Sequence, residues 1–213
     1  TLLNYLHRSL IHHFDELWIP DFPVAEKLSG ALSNHSLINI PVKYTGVLSR
    51  FTHPAKVVEK KFDIIALLSG PEPQRTLFEE KVQHYMEGYG NRAMLVRGIP
   101  GKEETVNTNG IIIRSSISDE ELTELLHPDT LLVARSGYST LMDMVALNHS
   151  KCLLIPTPGQ TEQEYLAGYH RQHSGFATAL QNEEWPAPET ITGGHIKEWD
   201  DERPLKKILK EFL

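Results

Sequence analysis

Short apolar runs rich in Ile, Leu and Val recur at Asp63–Leu68, Ala93–Val96, Gly110–Ile113, Thr130–Ala134 and Lys151–Ile155. Within each run the apolar residues are continuous rather than alternating, the pattern of strands buried on both faces. Most runs pass through a Gly, Pro or Ser turn into a capping-box spelling: Thr76-Leu-Phe-Glu79, Ser118-Asp-Glu-Glu121, Thr140-Leu-Met-Asp143 and Thr161-Glu-Gln-Glu164. A hydroxyl three residues ahead of a carboxylate satisfies free amides at a helix start. Four such strand-to-helix units predict a parallel α/β sheet with right-handed crossovers. The pattern reads as a doubly wound, Rossmann-like domain from about residue 50 onward.

The opening of the chain reads differently. Leu2 to His13 is patterned as an amphipathic helix, Glu16–Ile19 as a short strand and Val24 to Leu32 as a helix interrupted by Gly30. Pro41–Gly46 then predicts a strand leading into the main domain. The expected division is 1–45 as the last elements of an N-terminal domain and linker, and 46–213 as the main domain. Thr1 is not an initiator Met and leads straight into a helix-like pattern, so the sequence is expected to be a piece of a longer protein.

Composition narrows the partners. The 213 residues carry a formal charge of −7, with Lys60-Lys61 and Lys206-Lys207 the only adjacent basic pairs, which argues against a nucleic-acid partner. Cys152 is the single cysteine and cannot form an internal disulfide; it sits in an apolar run, is expected in the core, and fits a reducing, cytoplasmic compartment. No apolar stretch approaches the ~20 residues that span a bilayer. His170-Arg-Gln-His173 has the spacing of a metal pair without carboxylate support and reads as a solvated helix face, as does His12-His13. No metal site is expected.

Ligands of open α/β sheets bind at the carboxyl ends of strands, where helix N-termini favour anions. Three loops qualify. In Leu68–Arg75, Ser69 and Gly70 allow close backbone approach and Arg75 is a candidate anion contact, although the same segment reads equally as a proline-stiffened turn. In Ala134–Thr140, Gly137 is free in φ, and amides from Gly137 through Ser139 to Thr140 would face a diphosphate. Asp143, one turn on, is placed either to accept hydrogen bonds from vicinal ribose hydroxyls or simply to complete a capping box with Thr140. In Ile155–Tyr165, Gln160, Glu162, Gln163 and Glu164 crowd a helix start; Glu164 has a capping alternative with Thr161, whereas Gln163 has none.

Two segments carry a resemblance: Asp129 to Asp143, read as Asp-Thr-Leu-Leu-Val-Ala-Arg-Ser-Gly-Tyr-Ser-Thr-Leu-Met-Asp, and Lys151 to Ala167, read as Lys-Cys-Leu-Leu-Ile-Pro-Thr-Pro-Gly-Gln-Thr-Glu-Gln-Glu-Tyr-Leu-Ala. In order and spacing they resemble the nucleotide-binding C-terminal domain of GT-B glycosyltransferases. The closest likeness is to the family that includes the peptidoglycan UDP-N-acetylglucosamine transferase and the cytosolic subunit adding the second sugar of the dolichol-linked oligosaccharide. Weaker similarity reaches upstream through Ser69-Gly70 to Tyr44–Arg50, which looks like that family's interdomain linker.

The resemblance implies a sugar-nucleotide donor, a UDP-sugar such as UDP-N-acetylglucosamine, with no cofactor and no metal. By implication Asp143 holds the ribose, Gln163 and Glu164 meet the donor sugar, and Ser136 and Gly137 lie beside the diphosphate. Ser69 and Gly70 face that diphosphate from the first loop, Arg50 approaches from the linker, and the backbone near Ile117 and Ser118 meets the base. Two departures stand out: Ser-Gly-Pro-Glu replaces a more glycine-rich run, and Glu164 replaces the second Gln of a pair. The implied acceptor is a glycan, lipid or small molecule bound through an N-terminal domain outside this chain, so no catalytic base is assigned. Peripheral association at the inner face of a membrane is a further implication. Two other readings stay open: a sugar-nucleotide epimerase of the same fold, and a non-catalytic nucleotide-binding subunit that needs a partner.

Overall fold

The computed structural model describes residues 10–24, 26–36, 38–51, 59–99, 101–196 and 204–212. The chain divides into two compact units, Thr1–Leu48 with Trp199–Leu213, and Ser49–Glu198.

In the first unit, β1 (Leu17–Ile19) pairs in parallel with β2 (Val42–Tyr44), with Leu17 opposite Val42. The helix expected over Val24 to Leu32 does not form. Asp21 is fully buried and its carboxylate accepts from the amides of Phe22, Leu28 and Ser29 at 2.7–2.9 Å and from the Ser29 hydroxyl at 2.5 Å. Those amides close a loop around one side chain instead of a helical ladder, and only a 3₁₀ turn at Gly30–Ser33 follows. The helix expected over Leu2 to His13 falls largely on residues 1–9, outside the described residues.

The second unit holds a seven-stranded sheet. Its strands are β3 (Ile64–Leu67), β4 (Ala93–Val96), β5 (Thr105–Thr108), β6 (Ile111–Arg114), β7 (Leu131–Ala134), β8 (Cys152–Leu154) and β9 (Ala177–Thr178). The order is β5-β6-β4-β3-β7-β8-β9, and every pairing is parallel except the β5–β6 hairpin. Successive parallel strands therefore step outward from β3 one way through β4 and β6, then the other way through β7, β8 and β9. The order turns around between β3 and β7, as in Rossmann-like sheets.

Helices follow four strands: α1 (Gln74–Tyr85) after β3, α2 (Asp119–Leu125) after β6, α3 (Tyr138–Leu147) after β7 and α4 (Thr161–His173) after β8. The continuous apolar runs are buried as their pattern requires: Ile64, Ile65, Ala66, Val133, Leu153 and Ile155 are fully inaccessible. Each such branched side chain contributes on the order of 1.5–3 kcal/mol of transfer free energy. Cys152 belongs to this core, and burial pushes its thiol pKa up.

Of the four expected capping hydroxyls only Ser118 caps its helix: its Oγ accepts from the Glu121 amide at 3.1 Å, while the Glu121 carboxylate pairs with Arg114 rather than closing the box. The other three hydroxyls lie inside their helices, because the chain turns helical earlier, after Pro73, Gly137 and Gln160. At α1 the carboxylate comes from upstream, with Glu72 accepting from the Thr76 amide and hydroxyl. His170 is another correction. It is 2% exposed, stacked at 5.7 Å on Phe176 with Nδ1 2.9 Å from the Ser174 hydroxyl, so it is a packed core side chain rather than a solvated one.

The first unit also includes α5 (Pro204–Phe212), whose Glu211 pairs with Lys43 of β2 at 2.7 Å. Among the described residues no helix is long and apolar enough to cross a membrane.

Candidate functional site

A cavity of about 480 Å³ opens at the carboxyl ends of β3, β4, β6 and β7. Its depth is apolar, built by Leu67 and Val96 at strand ends, Leu122 and Leu126 from α2 and its end, and Met144 and Leu147 from α3. Its rim is polar. Ser69 and Gly70 come from the loop after β3, Ser116 to Ser118 from the turn after β6, Asp119 from the start of α2, Thr140 and Asp143 from α3, and Arg50 from the segment ahead of β3. An apolar slot with a few convergent polar groups is the usual form of a small-molecule site.

Asp143 is held on that rim by two side chains. Its Oδ1 accepts from the Ser49 hydroxyl at 2.6 Å, and Arg50 Nε stands 3.5 Å from Oδ2. Arg50 also reaches Asp119 at 3.1 Å and lies over the ring of Phe51, which is itself buried. Burial raises the Asp143 pKa above the ordinary aspartate value; Ser49 and Arg50 oppose that rise, and the nearby Asp119 charge adds to it. Asp143 is the sixth residue of α3, and Thr140 the third, so the two do not form a capping box.

Helix α3 starts at Gly137 without a side-chain cap and with no acidic residue in its first turn. No carboxylate of its own first turn therefore offsets the partial positive charge at that end. Helix α2 is the opposite, with Asp119, Glu120 and Glu121 in its first turn. Gly137 adopts φ −74°, which any residue can take, so the conformational freedom expected of it goes unused. Arg75, a candidate anion contact, instead pairs with Glu72 at 2.5 Å.

Of the expected site residues, Arg50, Ser69, Gly70, Ile117, Ser118, Thr140 and Asp143 line one cavity. The others do not line it. Ser136 is fully buried, its hydroxyl donating to the Gln163 carbonyl at 2.8 Å, and Ser139 is exposed on α3. Gln163 ties down its own loop: Oε1 accepts from the Thr157 amide at 2.8 Å and Nε2 donates to Gln160 Oε1 at 2.6 Å. Glu164 accepts from the Gly159 amide at 3.0 Å and lines a separate hollow of about 190 Å³ with Arg171 and Glu183.

Three rim residues were not among those expected: Gly98, Ser116 and Asp119. Gly98 ends the segment after β4 at φ +65°, and a Cβ there would lie 2.6 Å from the Leu68 carbonyl oxygen. The strand-to-glycine signal at Val96-Arg-Gly98 is the same one that marks the other loops. Among the described residues no group of three or more His, Cys, Asp or Glu could hold a metal ion.

The chain combines a Rossmann-like α/β sheet with a polar-rimmed cavity at the turnaround of its strand order. No family model matches the chain, and no curated protein matches it.

Proposed function

We propose that this chain is the donor-binding part of a glycosyltransferase, its sheet doubly wound and corresponding to the C-terminal half of a GT-B fold. The observation that carries the reading is Asp143, a half-buried carboxylate facing a 480 Å³ cavity at the β3/β7 turnaround. Nucleotides bind at this position in sheets of this order, and the volume lies within the roughly 300–1,000 Å³ of small-molecule sites. In this reading Asp143 accepts from the ribose hydroxyls and the base lies in the apolar slot beside Ile117 and Ser118. The diphosphate faces Ser69, Gly70 and the N-terminal end of α3.

The donor is a nucleoside-diphosphate sugar, UDP-N-acetylglucosamine being the example the resemblance suggests. The acceptor hydroxyl oxygen bonds to the anomeric carbon as the bond from that carbon to the diphosphate oxygen breaks, and the nucleoside diphosphate departs with the electron pair. The positive end of α3 offsets the charge that develops on it. In this reading the acceptor, and the base that takes its hydroxyl proton, belong to the other half of the GT-B fold.

The test is calorimetric titration of UDP, GDP, UDP-N-acetylglucosamine and GDP-mannose against the wild-type chain and Asp143→Ala. Binding that falls at least about tenfold in the variant supports the reading, one strong hydrogen-bonded contact being worth about that factor. Absence of binding by all four ligands, or an unchanged affinity in Asp143→Ala, overturns it.

A further inference from the structure

We propose that Ser49 is a positioning residue for the nucleotide site: its hydroxyl clamps one oxygen of Asp143 so that the other is presented to the ligand. The inference rests on the reading of Asp143 as the ribose-binding carboxylate.

The geometry is directional. A serine hydroxyl has one proton to donate and lone pairs to accept with. The Phe51 amide donates to Ser49 Oγ at 3.1 Å, so one lone pair of the hydroxyl is taken by the adjoining backbone. The proton is thereby turned toward Asp143 Oδ1, at 2.6 Å. Phe51 is only 4% exposed, and its buried ring anchors the backbone that carries the serine.

The second oxygen is held differently. Arg50 approaches Oδ2 at 3.5 Å, too far for a tight charge-assisted bond, and has its other contact on Asp119 at 3.1 Å. Arg50 is 55% exposed, so solvent screens the pair. A ligand hydroxyl can take the place of Arg50 at Oδ2 while Arg50 remains held by Asp119. The firm contact and the exchangeable one fall on different oxygens of one carboxylate.

Ser49 also acts on the charge state of Asp143. The charged and donor groups facing Asp143 are Ser49 and Arg50 from the segment before β3 and Asp119 from α2. Ser49 donates to the ionised form and so opposes the burial that favours the acid. Removing the hydroxyl leaves Asp143 protonated to a higher pH, where it accepts less well.

The experiment is calorimetric titration of the wild-type chain, Ser49→Ala, Ser49→Thr and Asp143→Ala with UDP-N-acetylglucosamine and GDP-mannose from about pH 4 to about pH 8. These diphosphate diesters do not themselves titrate near neutrality. Ser49→Ala is expected to weaken binding about tenfold at neutral pH, the scale of a hydrogen bond to a charged group. It should also move the acid limb of the affinity profile to higher pH. Ser49→Thr, which keeps the hydroxyl, should restore both. A loss in Asp143→Ala with an unchanged Ser49→Ala profile overturns the positioning role alone. An affinity loss in Ser49→Ala with no shift of the acid limb, or without rescue by Ser49→Thr, assigns the serine to packing and also overturns it. Failure of both ligands to bind, or no effect of Asp143→Ala, overturns the ribose reading and the inference with it.

Discussion

A Cβ on Gly98 would sit 2.6 Å from the carbonyl oxygen of Leu68, so the loops after β3 and β4 meet backbone to backbone at the cavity rim. Gly98→Ala must push the Leu68–Gly70 segment away and also strain φ +65°. We expect a loss of about 1–3 kcal/mol in stability, with nucleotide affinity falling further than stability explains. Gly70→Ala is the contrast: its φ is +99°, but nothing lies within 4 Å of the added carbon. In stability that variant should show only the backbone cost of about 1 kcal/mol, and any loss of UDP affinity beyond it comes from a methyl beside the diphosphate. Urea unfolding and UDP titration of the two variants side by side check this.

His149 should make the second unit acid-sensitive. It is 1% exposed, with Nε2 3.1 Å from the Lys151 carbonyl oxygen, and burial lowers its pKa from 6.5 to about 4. Above pH 6.5 both folded and unfolded chains hold the neutral ring, and the stability is fully present. As pH falls toward 4 the unfolded chain takes a proton that the folded one resists, so stability drops. At 1.36 kcal/mol per pH step the total approaches about 3 kcal/mol. Urea midpoints across that range should fall steeply for the wild type and more gently for His149→Phe.

Arg135 is expected to be a stability determinant rather than an anion contact. It is 1% exposed, and burial brings its pKa down to about 10, so it stays charged at neutral pH. Its donors reach the carbonyls of Pro156 at 3.1 Å and Gln74 at 3.2 Å and Gln181 Oε1 at 2.7 Å, while its guanidinium lies 3.9 Å over the Phe78 ring. Arg135→Ala strips four acceptors, the Ile155 carbonyl among them, of a charged donor, for a loss of about 3 kcal/mol or more. Arg135→Lys should recover less than half of it, since an ammonium cannot reproduce the fork. Equilibrium unfolding at neutral pH measures both.

Gln163 separates two effects. Truncation to Ala leaves the amide of Thr157, a residue 4% exposed, without its side-chain acceptor, at a cost of about 1–2 kcal/mol. If the donor sugar lies beside this loop, Gln163→Ala weakens UDP-N-acetylglucosamine binding and leaves UDP binding unchanged. An equal loss for both ligands would place the effect on the cavity as a whole.

The buried strands were legible because burial on both faces writes itself as an unbroken apolar run, as in Ile64-Ile-Ala-Leu67. Strand β5 was not: Thr105 to Thr108 is exposed throughout and has no apolar run to show. Its signal lay in the turn, where Asn109 and Gly110 take φ +52° and +87° between two strands. Helix starts were misplaced by up to three residues because hydroxyl–carboxylate spacing is local, whereas the carboxylates found other partners. Asp143 turned to Ser49, 94 residues away. Glu79 turned to Arg97 at 2.7 Å. The cavity follows the same division: strand-end loops announced themselves by glycine and serine, and the contact that orients its carboxylate did not.

The reversal of strand order between β3 and β7 gives the cavity two walls of separate descent along the chain. One carries Ser69, Gly98 and the Ser116–Asp119 turn, and the other carries Thr140 and Asp143. Each bank is encoded in its own stretch of sequence, and Arg50 spans the two, reaching Asp119 on one and Asp143 on the other. A protein so arranged can change what it grips at one end of a ligand while keeping its hold on the opposite end.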